Sequence, residues 1–275
     1  MQMETKTTLV LLGTGTPNAQ SGRFGPALAV VSKGQPYIVD FGAGVVHRAL
    51  EAGLNPATLK LAFLTHLHSD HTVGYPDLIL TPWVLGRKEP LHIWGPPGIS
   101  AMTSHILEAY KEDIRERSKG LQPSNETGWG VESNEIDAPG RIYLDDNVAI
   151  EAFPVVHGSW KAYGYKFEGS GRTIVVSSDT APSDILIEKA KGCDILVHEV
   201  YSVAGFNRRT PDWQAYHSQV HTSTSQLAGI ANAAKPGLLV LYHQLYWGTS
   251  DDELLAEIRE HYDGEVVSGK DLDSY

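Results

Sequence analysis

Short apolar, β-branched runs alternate with stretches of helical periodicity along most of the chain. The runs at Thr8–Leu12, Tyr37–Asp40, Lys60–Thr65, Leu91–Trp94, Val148–Val156, Thr173–Ser177, Asp194–His198 and Leu238–Tyr242 read as strands. Helices are expected near Gly44–Ala52, Ser100–Ser118, Pro182–Lys191, Ser223–Ala234 and Ser250–His261. Ser223 with Gln226, and Ser250 with Glu253, have capping-box spacing, which marks two helix starts. Strands interleaved with helices imply α/β layers, sheets covered by helices. No internal repeat or Pro- or Ser-rich linker divides the chain, so residues 1–275 are expected to form one domain built of two halves. Gly120–Gly140, dominated by Pro, Asn, Gly and Glu, is expected to be an exposed connection.

Composition narrows the class. A chain of 275 residues, 41% hydrophobic and 20% charged, buries a core without disulfide support and is not disordered. Its 33 acidic residues outnumber 22 basic ones, and the net charge of −11 argues against a general nucleic-acid binder. Cys193 is the only cysteine, which excludes an intrachain disulfide and cysteine-based zinc fingers. The polar N-terminus and the lack of any long apolar run predict a soluble, cytoplasmic protein with no membrane partner.

The chemistry is concentrated at Thr65-His66-Leu67-His68-Ser69-Asp70-His71, which follows directly on an expected strand. Residues two apart in extended chain point the same way, so His66 and His68 can grip one ion. Asp70 and His71 come after the turn and can face a second. Imidazole and carboxylate suit zinc, and also iron or manganese. Further candidates stand where strands end, at His157, Asp179 and His243. Ligands gather at such ends in α/β folds, and Asp179 has two oxygens with which to bridge two ions. Asp40 reads either as a carboxylate steadying a ligand imidazole or as a turn residue. Gly13-x-Gly15 fails as a dinucleotide fingerprint, because Asn18 stands at the third glycine position.

These motifs together resemble the metallo-β-lactamase superfamily, and within it the ribonuclease Z branch with its arylsulfatase-like relatives. The resemblance runs from Leu11-Leu12-Gly13-Thr14-Gly15-Thr16-Pro17 and Val39-Asp40-Phe41-Gly42-Ala43-Gly44 through THLHSDHTVG at 65–74 and Trp94-Gly95-Pro96-Pro97-Gly98. It continues with His157, Tyr163-Gly164-Tyr165, Ser178-Asp179-Thr180, His198-Glu199-Val200, His221-Thr222-Ser223-Thr224 and Tyr242-His243. It implies a four-layer αββα sandwich and two divalent metal ions, zinc foremost, with Mn2+ or Fe2+ as alternatives. It assigns His66, His68 and His157 to one ion, Asp70, His71 and His243 to the other, and Asp179 to both. It also pairs Glu199 with His221 to protonate the leaving group, which makes Asp70, Glu199 and His221 the expected catalytic groups. A homodimer is a further family expectation. His217 has no motif support.

Ribonuclease Z enzymes that mature tRNA grip it with a basic arm, which the commonest bacterial form inserts between positions matching His157 and Asp179. Here those are 22 positions apart and leave no room. Gly120–Gly140 is a candidate substitute lid, but it carries Glu126, Glu132, Glu135 and Asp137 and no Lys or Arg. The expected function is therefore a dinuclear hydrolase acting on small or medium esters, most of all phosphodiesters, with a hydroxide between the ions as nucleophile and tRNA disfavoured. Rival readings are tRNA 3′ processing, sulfate-ester, lactone or β-lactam hydrolysis, and a non-catalytic binding protein. Trp160, Tyr163, Trp213, Tyr246 and Trp247 are candidates for an apolar leaving-group pocket or for the core.

Overall fold

A computed structural model of the chain describes residues 6–275. Six strands form one sheet in chain order: β1 (Thr8–Gly13), β2 (Ala27–Ser32), β3 (Gln35–Val39), β4 (Leu61–Phe63), β5 (Leu91–Gly95) and β6 (Val131–Glu135). Seven form the other: β7 (Gly140–Leu144), β8 (Ala149–His157), β9 (Trp160–Gly169), β10 (Arg172–Val176), β11 (Ile195–Tyr201), β12 (Leu238–Leu245) and β13 (Val266–Ser268). Each sheet changes from antiparallel to parallel pairing partway across, after β3 in the first and after β10 in the second.

Both faces of the central strands are buried, and the two-residue period sorts their side chains into separate cores. Leu9 and Leu11 of β1 enter the core between the sheets, while Val10 and Leu12 pack outward against helices. Phe63 anchors the space between the sheets, stacked on Trp94 at 5.2 Å and meeting Tyr165 edge-on at 5.9 Å. Helices Val45–Glu51, Tyr75–Val84 and Ile99–Ala109 cover the first sheet, and helices Asp184–Ala190, Thr224–Ala234 and Asp251–Arg259 cover the second. The result is the expected αββα sandwich. Both capping boxes form, at Ser223/Gln226 and Ser250/Glu253.

Several elements depart from the sequence expectation. Ser100–Ser118 is two helices divided at Tyr110, and Pro211–Val220 is an additional one. The expected connection at Gly120–Gly140 contains β6, a polar strand that pairs along one side only, with β5. No residue of this stretch lines the cleft described below, so nothing places it as a lid among the described residues. No helix there is long and apolar enough to cross a membrane.

Helix Tyr75–Val84 tolerates Pro82 because of a buried arginine. Pro82 lacks the N–H that Leu78 O requires, and Arg87 Nη1 donates to that carbonyl at 3.0 Å instead. Arg87 also donates to Leu59 O at 2.7 Å, Ile79 O at 2.7 Å and Gly128 O at 2.9 Å. Replacing it by methionine strands these acceptors but also removes a desolvated charge, so we expect a net loss of about 2–4 kcal/mol. Urea unfolding checks this, and a loss below about 0.5 kcal/mol contradicts the account.

Candidate metal centre

The centre lies where strand ends of both sheets meet. His66 and His68 follow β4, and Asp70 and His71 sit on the short helix Ser69–Thr72. His157 ends β8, and Asp179 follows β10. His243 was expected to close its strand but lies inside β12. Tyr242 pairs with Glu199 and Gln244 with Val200, so His243 is the extra residue of a bulge. Its φ of 47° is left-handed, as are those of Asp40 (57°) and Ser178 (65°). Three such residues around one centre store backbone strain where side chains must be re-aimed.

Glycines let the surrounding loops close on one another. A Cβ on Gly74 would lie 2.3 Å from Gly42 O, and one on Gly42 would lie 2.6 Å from Asp70 O. This is why the DFGAG segment and the glycine that ends the histidine motif belong to the same site. Tyr163 N of β9 donates to Thr65 O at 3.0 Å and ties the second sheet to the motif.

All seven candidate ligands come together in two clusters, His66/His68/His157/Asp179 and Asp70/His71/His243. His68 Nδ1 is 2.9 Å from His66 Nε2 and 3.2 Å from His157 Nε2. Asp70 Oδ2 is 3.5 Å from His71 Nε2 and 3.3 Å from His243 Nε2. Asp179 Oδ2 lies 3.5 Å and 3.6 Å from the same two nitrogens, while its Oδ1 is buried without a partner. Bonds of ~2.0–2.1 Å at tetrahedral angles put donor atoms ~3.3 Å apart, so the donor set fits two divalent ions.

The surroundings fix the histidine tautomers. His157 Nδ1 donates to Val220 O at 2.8 Å and His71 Nδ1 to Asp40 Oδ2 at 2.8 Å, which turns each Nε2 toward the centre. Asp40 also accepts from Thr65 N at 2.8 Å and Thr65 Oγ1 at 2.9 Å, so it steadies the imidazole and occupies a turn as well. Asp40→Ala should weaken metal affinity by roughly 10–100-fold. Competition with a chelator measures it, and an unchanged affinity rules out this role.

Charge is balanced internally. Burial drives His66 well below its usual pKa, helped by His71, and takes His68 down to about 4. Burial also opposes charge on His71, yet Asp40, Asp179 and Asp70 outweigh it and raise that imidazole. For Asp179, burial is overcome by His243 and His71, which hold the carboxyl well below its ordinary range.

Glu199 lies within β11, with Oε1 accepting from Thr222 N at 2.8 Å and Thr180 N at 3.3 Å. Its Oε2 is 3.4 Å from His221 Nδ1, and His221 caps helix Pro211–Val220. Burial raises the carboxyl, aided by Asp179, and lowers the imidazole to about 4. Both groups favour their neutral forms, and Oε2 and Nδ1 face each other at 3.4 Å with no other hydrogen-bond partner.

A cleft of about 670 Å³ opens over His68, Asp70, Asp179, His221 and His243. Its wall includes Arg209, Trp213, Tyr216, His217 and Trp247. Past Asp70 the surface continues into a depression of about 370 Å³ that includes Phe24, Ala43 and Val73. Of the five aromatics expected near the site, Trp213 and Trp247 line the cleft and Trp160 packs on His68 at 4.6 Å. Tyr163 is buried, with its hydroxyl on Ile136 O, and the Tyr246 hydroxyl is bound to Asp251. The sequence reading missed His217, although it lies one helical turn before His221, where the i, i+4 relation shares a face.

Comparison with known proteins places this architecture. The family model described as Beta-lactamase superfamily domain matches residues 38–244. A Ribonuclease Z of Mycobacterium bovis is 33% identical over 274 residues, covering 96% of each chain. Human tRNase Z, short form, aligns with a TM-score of 0.75 and 19% identity over 98% of both chains. The metallo-beta-lactamase fold protein YhfI from Bacillus subtilis gives 0.75 and 18% identity over 98% of this chain and 99% of its own. The 22-position interval from His157 to Asp179, filled by the β8–β9 hairpin and β10, therefore does not separate this chain from proteins named ribonuclease Z, since the mycobacterial relative is matched end to end. That removes the main ground for disfavouring tRNA. Family match, end-to-end kinship and a donor set built for two divalent ions together make this chain a metal-dependent hydrolase of the metallo-β-lactamase superfamily, on its ribonuclease Z-related branch.

Proposed function

We propose that the chain is a ribonuclease Z-type endonuclease that cuts an RNA phosphodiester, with precursor tRNA as its substrate and zinc as its metal. The carrying observation is that Asp179 stands between two histidine clusters, with Glu199 and His221 facing each other beside it. In this reading His66, His68 and His157 hold one ion, Asp70, His71 and His243 the other, and Asp179 both. Two such ions supply Lewis-acid stabilisation and lower the pKa of a water. Asp40 orients His71, Thr65 Oγ1 orients His66 and Val220 O orients His157, so these three donors need no rearrangement. His221 delivers a proton to the departing oxygen, and Glu199 resupplies it. Room on both sides of Asp70 supports a substrate that extends in two directions from the scissile phosphate. Residues 1–275 work as one domain in this proposal, a reading supported by ligands drawn from both sheets.

Small phosphodiesters are the second reading. It is favoured by the net charge of −11. One assay separates the two: zinc-loaded protein is given precursor tRNA carrying a 3′ trailer and, in parallel, bis(p-nitrophenyl) phosphate, each with and without chelator. Single-site trailer removal that the chelator abolishes supports the endonuclease. Hydrolysis of the aryl diester alone, with the precursor intact even at low salt, rejects it in favour of the small-ester reading.

A further inference from the structure

We propose that Trp213, His217 and Trp247, with Arg209, form a subsite that stacks and hydrogen-bonds the nucleobase of the nucleotide released at the metal centre. This deepens the phosphodiesterase reading and rests on it, because the base is brought there by a phosphate held at the metals.

The rings form one continuous wall. His217 lies 5.3 Å from Trp213 at an interplanar angle of 20°, 4.4 Å from Trp247 and 5.5 Å from His221. The Arg209 guanidinium sits over both indoles, 5.2 Å from Trp213 and 5.5 Å from Trp247. Trp213 is 49% exposed, a large apolar face that the fold itself leaves uncovered. Trp247 is held from behind by Tyr201 at 5.7 Å, on a left-handed backbone with φ of 47°. The open face of Trp213 is a surface on which a further planar ring can stack at low entropic cost, with His217 and Trp247 continuing the wall behind it.

Two unpartnered polar atoms specify the kind of ring. His217 is 7% exposed and lines the cleft, yet its Nδ1 has no hydrogen-bond partner. Arg209 Nε is likewise buried and unpaired. Burial, with His221 and Arg209 nearby, lowers His217 to about 4, so the neutral imidazole presents both a donor and an acceptor. A plain hydrocarbon ring would leave these atoms unsatisfied, whereas the polar edge of a base can pair with them once the His217 and Arg209 side chains turn toward the cleft. The side of the cleft is set by His221, which adjoins His217 and faces the departing oxygen. The base recognised is therefore that of the leaving nucleotide.

The test measures binding rather than turnover. Zinc-loaded protein is titrated with adenosine 3′- and 5′-monophosphate and with ribose 5-phosphate, following tryptophan fluorescence and equilibrium dialysis. At least one adenosine phosphate should bind about tenfold more tightly than the base-free phosphate and quench fluorescence. Trp213→Ala should erase most of that advantage, Trp213→Phe should keep it, and ribose 5-phosphate should bind all three proteins alike. Equal affinity for base-bearing and base-free phosphates in the parent protein, or an advantage untouched by Trp213→Ala, overturns the subsite. Precursor cleavage run in parallel keeps the two proposals apart. Cleavage without a base advantage removes the subsite alone, and a base advantage without RNA cleavage removes only the RNA reading.

Discussion

Asp179→Ala protein should fold and yet lose hydrolysis by ~10³-fold or more, well beyond the 10–100-fold expected for groups that merely orient ligands. The reason is position. Asp179 Oδ2 faces His71 and His243 at 3.5 and 3.6 Å, and its Oδ1 is buried with no other partner. The carboxyl is held well below its ordinary range, so it is an anion at every working pH. Removing it takes a donor and a negative charge from both clusters at once. Metal content should therefore fall together with activity, and Asp179→Asn, which keeps an oxygen but no charge, should lie between alanine and the parent. Elemental analysis beside steady-state rates checks the pair of effects. A variant that retains both ions and activity within tenfold of the parent would falsify the bridging role.

His221→Ala is expected to show a loss that depends on the leaving group. An RNA ester expels a strongly basic alkoxide and should slow by roughly 10²–10⁴-fold without a proton donor. A p-nitrophenyl ester expels a weakly basic phenolate and should slow by less than about tenfold, because that departure needs little protonation. In the proposed mechanism Nδ1 lies 3.4 Å from Glu199, so the proton offered to substrate would be the one on Nε2. Glu199→Gln should reproduce the same selectivity to a smaller extent, since glutamine cannot resupply the proton. Equal losses on both esters would instead mark His221 as structural or as a ligand-positioning group.

Much of this centre was legible in the residues. HxHxDH could be read because two-residue alternation and a following turn are local properties of the backbone. His157, Asp179 and His243 could be nominated from their place beside strands. The details were not legible. His243 was expected at a strand end, but a bulge against Glu199 and Val200 carries it inside β12, and bulges depend on the partner strand. From sequence Asp40 suits either of two roles, and only the approach of His71 and Thr65, 31 and 25 positions away, gives it both. Polar β6 read as loop because its one neighbour, β5, lies far off in sequence. Helix Tyr75–Val84 was not expected, and the donor that compensates Pro82 comes from Arg87, outside the helix.

The sequence alone determined the layers, the two capped helix starts and the identity of the donor atoms. These follow from periodicity, side-chain chemistry and spacing within a few residues. Only the tertiary structure decided that donors separated by up to 177 positions, His66 to His243, converge on one centre. It alone also placed His217, Arg209 and two indoles on the same wall of the cleft. Convergence of this kind is set by packing between the two sheets, where Phe63, Tyr165 and their neighbours fix how the strand ends face each other. No local pattern in the chain encodes that distance.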